Sequence, residues 1–276
     1  MILDNTKVTE FNTCPRKFYW RHVRHLSLMT DLTPTPLQFG IAIHSALETL
    51  YKGGSLDDSI IIFRGLFPDK YSNTVRTPVI GEKMLRLYYN QYMPEVWKIK
   101  HVEAHATMEL SSDLMFYGRI DLIVDFLDTL YIVDHKTSSS MGFIAEPHHQ
   151  LTGYIAVART LGLDVKGGIV NILGLIKGKV EFLRIMTSRT EEDIQEWIHH
   201  ALLTKCNIDN CIESGYFPKY THSCGMYASK CPYMQLCTCS PRSIEYIVEG
   251  SYTEKEWKPW ETTEKEVTIW KSQKQR

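Results

Sequence analysis

The sequence lacks an apolar run long enough to span a bilayer: the stretch Gly167 to Ile176 is broken by Asn171 and ends at Lys177. Its opening residues, MILDNTKVTE, lack the basic-then-apolar layout of a secretory signal. There is no internal repeat, no low-complexity segment and no Gly-rich Lys loop to cradle a nucleoside triphosphate. Nor does one sign of charge dominate. The 31 Lys and Arg against 32 Asp and Glu leave a net charge of −1, which excludes a uniformly basic nucleic-acid coat but leaves room for a local basic patch. These absences point to a cytoplasmic protein with no membrane partner.

What is present is ordinary globular material: 276 residues, 43% hydrophobic and 23% charged, enough to bury a sizeable core without covalent staples. The reading is one domain over residues 1–240 with a polar tail, 241–276, that carries Trp257, Trp260 and Trp270. Within the domain, residues 1–100 read as helical, 101–190 as the core and 191–240 as a long helix followed by a cysteine-rich segment. Helices are predicted from Pro15, at Phe39–Tyr51 before Gly53-Gly54, at 56–67, and at 80–99 with a kink at Pro94. The period then changes to strands at 101–110, 115–126 and 130–136, joined by turns at Ser111-Ser112-Asp113 and Leu127-Asp128-Thr129. A helix at 145–161 closed by Gly162, strands at 168–176 and 180–187, and a capping box at Thr190 opening a helix to Ser214 complete a mixed sheet with helices against it.

Two neighbouring strands carry charge where charge is costly. Asp121 stands in Gly118-Arg-Ile-Asp-Leu-Ile-Val124, and Asp134 and Lys136 share one strand face in Tyr131-Ile-Val-Asp-His-Lys-Thr137. The short turn at Asp128-Thr129 makes the strands partners and can bring Asp121 near Asp134. Two carboxylates held together repel unless a cation neutralises them, and oxygen ligands without thiolates favour Mg²⁺ or Mn²⁺. A lysine beside such a site stabilises charge developing on phosphorus, as phosphodiester hydrolysis requires. Asp134 and Lys136 could alternatively be a plain salt bridge at a strand end.

Taken together these residues resemble the PD-(D/E)XK nuclease superfamily, in its RecB-like branch. Gly-Arg-Ile-Asp121 and, after a hairpin, Val-Asp134-His-Lys136 match its core; Gly40-Ile-Ala-Ile-His44 upstream resembles the branch's G-x-x-x-H element, and Gln150-Leu-Thr-Gly-Tyr154 its Q-x-x-x-Y element. The resemblance implies an α/β fold with a restriction-endonuclease-like core, a central mixed sheet flanked by helices. It implies that His44, Asp121, Asp134 and the backbone carbonyl of His135 bind the divalent metal. Lys136 would be the catalytic lysine, and Gln150 and Tyr154 would position DNA or Lys136. His135 occupies a place where apolar or aromatic residues are common, and its ring should point to the opposite face.

Of seven cysteines, Cys224, Cys231, Cys237 and Cys239 crowd the C-terminal part, and Cys14-Pro-Arg-Lys-Phe supplies another near the start. In a reducing compartment such a cluster reads first as metal ligation. One cysteine before the core and three after it resembles the iron–sulfur subset of the RecB-like branch, which includes the AddB nuclease domain and the CRISPR-associated adaptation exonucleases. It implies a 4Fe–4S cluster on Cys14, Cys224, Cys231 and Cys237, clasping the two ends of the domain. The spacing between Cys224 and Cys231 departs from the shorter one often seen there. Zn²⁺ on Cys224, Cys231, Cys237 and Cys239 is the competing reading.

Arg16, Lys17 and Arg21, interleaved with Tyr19, suit contact with single-stranded nucleic acid through phosphates and stacking. The functional expectation is a metal-dependent DNA exonuclease acting on single-stranded or free ends in recombination, repair or phage replication, with a helicase or recombination partner. Two alternatives stand beside it: a CRISPR-adaptation nuclease trimming DNA before integration, and a non-catalytic DNA-binding scaffold. If phage-encoded, the protein would act in the host cytoplasm.

Overall fold

A computed structural model of the chain describes residues 1–29, 33–142, 148–228 and 230–261. Its elements, in chain order, are β1 (Ile2–Asp4), α1 (Asn5–Thr13), α2 (Pro15–Phe18) running into a π-helical turn (Tyr19–Val23), β2 (Leu26–Leu28), α3 (Thr35–Tyr51), α4 (Leu56–Leu66) and α5 (Pro78–Tyr92). They continue with β3 (Lys98–Ser111), β4 (Leu114–Phe126), β5 (Thr129–Ser138), α6 (His149–Thr160), β6 (Val165–Ile176), β7 (Lys179–Ser188) and α7 (Glu191–Ser214), then α8 (Met234–Thr238), α9 (Ile244–Ser251) and β8 (Tyr252–Glu254). Among the described residues no helix is long and apolar enough to cross a membrane. The chain divides into two compact units. One comprises the described residues of Met1–Asp31, Thr107–Tyr117 and Gln195–Val267, and the other those of Leu32–Ala106 and Gly118–Ile194.

The second unit is an α/β layer structure on a mixed sheet. β4 and β5 are antiparallel, β5 and β6 parallel, β6 and β7 antiparallel, and β3 pairs with β4. Both hairpins close with two-residue turns in the left-handed region, Leu127-Asp128 (φ 53° and 59°) and Lys177-Gly178 (φ 48° and 79°). Such turns match the right-handed twist of the strands they join. The first hairpin fixes the register that matters most: Leu122 opposes Val133, so one step further along sets Asp121 against Asp134. A core of Phe39, Ile43, Leu47, Phe63, Met84 and Tyr88 packs α3, α4 and α5 on Leu122, Val133, Ile169 and Leu173 of the sheet.

The predicted helix over 80–99 is shorter than expected. α5 ends at Tyr92, because Met93 precedes Pro94 and is forced out of the helical region to ψ 133°. The chain then extends into β3 from Lys98. α6 begins at His149, whereas the sequence suggested 145; residues 143–147 lie outside the described ones.

The first unit holds elements that local pattern did not announce. β1, only three residues, pairs in parallel with the start of β4 through Ile2–Met115, Leu3–Phe116 and Asp4–Tyr117. Asp4 caps α1 by accepting the Lys7 backbone N–H at 2.7 Å. Beyond residue 240 the chain is not a featureless tail up to Glu261: β8 pairs antiparallel with β2, and the Trp257 indole donates to Asp4 Oδ2 at 2.7 Å. Trp260 packs against Tyr117, while Trp270 lies outside the described residues.

Candidate active site

Four elements of the second unit, α3, β4, β5 and α6, bring the predicted residues together. Gly40 lets α3 lie close on β5, since a Cβ there would stand 3.2 Å from Thr137 Oγ1; one turn on, His44 Nδ1 comes within 3.5 Å of Asp121 Oδ2. The backbone N–H of His135 donates to the same Asp121 oxygen at 2.7 Å. On β5, Lys136 Nζ lies 2.8 Å from Asp134 Oδ2 and donates to Gln150 Oε1 of α6 at 2.8 Å. The Gln150 amide in turn donates to Tyr154 Oη at 3.0 Å. Gly118 leaves room for that tyrosine, a Cβ there falling 3.2 Å from its ring. His44, Asp121, Asp134, Lys136, Gln150 and Tyr154 thus converge. The His135 ring turns to the other face of β5, stacked 5.6 Å from Tyr51 and hydrogen-bonded to Asn171.

The two carboxylates are driven apart electrostatically. Burial opposes charge on Asp121, but His44 and the His135 N–H outweigh it and hold the acid well below the usual carboxylate range. Asp134 moves the other way: burial and the neighbouring Asp121 raise it, against the pull of Lys136. His44 is raised, burial being overcome by attraction to Asp121. Although Lys136 is near, Asp134 Oδ2 is buried without a hydrogen bond, so that contact is Coulombic and poorly aligned.

Among the described residues no three His, Cys, Asp or Glu side chains stand close enough to hold a metal as they lie. The donors nevertheless suit a hard divalent ion. A carboxylate oxygen of Asp134 without a hydrogen bond, a charged carboxylate on Asp121 and an imidazole leaning on it are the oxygen and nitrogen donors that such an ion takes. A bound ion would compete with protons for these donors.

The first unit carries the cysteines. Cys14 is buried, and Cys224, Cys231, Cys237 and Cys239 are half-buried; all are free thiols. Burial pushes the thiols of Cys231 and Cys237 up. Cys231 is raised further by Cys237 and Cys224, and Cys237 by Cys14, so all four predicted ligands lie within electrostatic reach in this sequence of neighbours. Among the described residues, no three of these thiols stand close enough to hold a metal as they lie. Of the predicted DNA contacts, Arg16 donates to the Phe217 carbonyl at 2.8 Å, and Tyr19 packs 5.0 Å from the Phe217 ring. Lys17 and Arg21 both turn to the buried carboxylate of Glu10, at 3.1 and 2.5 Å.

Sequence reasoning missed Glu103 of β3. Its backbone is left-handed (φ 52°), its carboxylate is buried against Arg119, and burial followed by the proximity of Asp121 pushes it up to about 7. The available signal was an acid flanked by Val102 and Ala104 in a strand that pairs with β4. It also passed over Asn171, visible only as a break in an apolar run, and Arg184.

None of the curated proteins matches this chain. Among solved structures, the fold is similar to that of a proposed exonuclease from Eubacterium rectale, with a TM-score of 0.50 and 14% identity over 79% of this chain and 84% of that one. A second structure, SSO0001, is 16% identical over 72% of this chain and 86% of its own, but its TM-score of 0.33 is too low to bear on the fold. The sequence profile of the PD-(D/E)XK nuclease superfamily matches residues 5–238, which is most of the chain. With the mixed sheet and the Asp121, Asp134 and Lys136 arrangement it carries, the chain belongs to the PD-(D/E)XK nuclease superfamily.

Proposed function

We propose that the protein is a divalent-metal-dependent deoxyribonuclease that hydrolyses phosphodiester bonds at free or single-stranded DNA ends. The observation that carries this reading is the placing of Lys136 between Asp134 and Gln150, beside a second buried carboxylate. Asp121, Asp134 and His44, with the His135 carbonyl, would hold Mg²⁺ or Mn²⁺. The ion, when bound, supplies Lewis acidity at a phosphoryl oxygen and an acidified water. The chain's own contribution is positional. Gln150, itself held by Tyr154, fixes the Lys136 ammonium as a pre-oriented positive charge for the negative charge that develops on the phosphoryl oxygens.

In the first unit, we propose that Cys14, Cys224, Cys231 and Cys237 bind a 4Fe–4S cluster. The Cys231 N–H donating to the Cys224 carbonyl at 2.8 Å, and the packing of Cys231 and Cys237 against one core cluster, support this reading. A cavity of about 440 Å³ opens beside Cys231 and is lined by Glu10, Lys17 and Lys230. Digestion of end-labelled linear single-stranded DNA in Mn²⁺ by anaerobically purified protein, with Asp134→Ala alongside, tests the nuclease. Degradation by the native chain alone supports it, and the product ladder separates exonuclease from endonuclease. DNA binding without degradation by either protein would transfer the reading to a scaffold.

A further inference from the structure

On the face of β5 opposite Lys136, three polar side chains stand in line across three strands. The register sets His135 against Asn171 and Asn171 against Arg184. Asn171 is fully buried and His135 nearly so. A polar row inside a sheet is costly unless donors and acceptors match, and here most of them match in a single sense.

Arg184 can only donate. Its Nε reaches Asn171 Oδ1 at 3.3 Å, and its two terminal nitrogens grip Glu95 at 3.0 and 2.5 Å. With its oxygen turned to Arg184, the Asn171 amide points its NH₂ the other way. It donates to Tyr88 Oη and to His135 Nδ1, both at 2.8 Å. Tyr88 Oη also accepts from Arg184 at 3.1 Å, so its own proton goes to Tyr51 Oη, 2.6 Å away. Tyr51 then donates to Glu95 Oε1 at 2.6 Å. This leaves His135 Nδ1 as an acceptor, with the ring proton on Nε2, which is buried without a hydrogen-bond partner. Arg184 is held in turn by the Tyr92 and Trp97 rings, 3.6 and 4.1 Å from its guanidinium carbon.

We infer that Glu95, Arg184 and Asn171 form a positioning relay that locks His135 as the Nε2–H tautomer and so holds its main-chain N–H against Asp121. None of the three reaches the carboxylates or Lys136; they act through His135, which stands between Asp134 and Lys136 in the chain. The relay's bearing on catalysis rests on the nuclease reading above; its geometry does not.

The test uses the full chain labelled with ¹⁵N-histidine. Long-range ¹H–¹⁵N correlation reads the tautomer, and amide exchange at His135 reads the hold on Asp121. Native protein should show Nε2–H. Asn171→Asp, which has no donor for Nδ1, should move a proton to Nδ1, speed His135 amide exchange about tenfold and lower kcat about tenfold with KM within about twofold. Arg184→Lys retains a donor for the Asn171 oxygen and should keep the native tautomer. Arg184→Met, at a partly exposed position, serves if Asn171→Asp does not fold, and should give mixed tautomers. Nδ1–H in the native protein, or a changed tautomer with unchanged His135 exchange, overturns the relay. Unchanged kcat in a variant with both changes overturns its link to catalysis. A native chain with the expected spectra but no cleavage overturns the nuclease reading and leaves the relay standing.

Discussion

Glu10 offers the sharpest quantitative test of the first unit. It is 7% exposed, and its two oxygens accept from Lys17 at 3.1 Å, Arg21 at 2.5 Å and His22 Nε2 at 2.8 Å. Burial alone would push this carboxyl up. The His22 hydrogen bond and the charges of Arg21 and Lys17 more than reverse that and bring it down from 4.5 to about 2. At about 1.4 kcal/mol per pK unit, a drop of this size represents about 3 kcal/mol of stability. Because the folded value lies below the unfolded one, the stabilisation is complete above pH 4.5 and is lost as pH falls through about 2. Glu10→Gln should therefore cost about 3 kcal/mol at neutral pH, close to the cost of breaking other buried ion pairs. The assay is urea unfolding followed by tryptophan fluorescence from pH 7 down to 2. The gap between native and variant should narrow steadily below pH 4.5 and close near pH 2. A gap under about 1 kcal/mol at pH 7, or one that does not change with pH, would refute the reasoning, because surface pairs contribute only that much.

Lys136→Met should lower cleavage by roughly 100-fold or more while leaving DNA binding nearly intact, as loss of one pre-oriented charge does elsewhere; equal loss of both in filter-binding and digestion assays would count against its placing. Gly81→Ala should destabilise the second unit by about 1–3 kcal/mol in thermal unfolding, since the new Cβ would stand 1.9 Å from the Phe63 ring of the core. Glu103 has its folded value raised from 4.5 to about 7, so it destabilises the fold increasingly as pH rises through that interval. Metal-free Glu103→Gln should accordingly flatten the fall in melting temperature between pH 5 and 8, and an unchanged profile would sink this assignment. Cys231→Ala should lose visible absorbance and solubility together; retention of a full cluster spectrum would rule out that ligand.

The site was legible where its residues lie close in sequence. Asp121, Asp134 and Lys136 share one hairpin with a two-residue turn, and Gln150 and Tyr154 share one helical turn, so alternation and helical period already placed them together. Glu103, Asn171 and Arg184 were not legible, because each acquires its meaning from a partner on another strand. β1 and β2, three residues each, are too short for any period to show, and their pairing partners lie in distant parts of the chain. Lys17 and Arg21 read as free basic residues because Glu10, their common partner, sits on the preceding helix, whose start no local pattern marks.

The discontinuity of the first unit has a consequence during synthesis. β2 waits for β8, whose Tyr252 pairs with Leu28, and Asn12 waits for His200 and Thr204. At roughly 5–20 residues per second, the ribosome needs on the order of 10–50 s to deliver β8 after β2 has been made. Through that interval Trp20 and Leu26, buried with Tyr233 and Tyr252 in the finished protein, have no cover. The second unit, whose described residues end at Ile194, can be completed earlier. A nascent chain of this design therefore carries a folded sheet and a sticky leading segment together, and release before the last strand emerges would leave that segment free to associate with other chains.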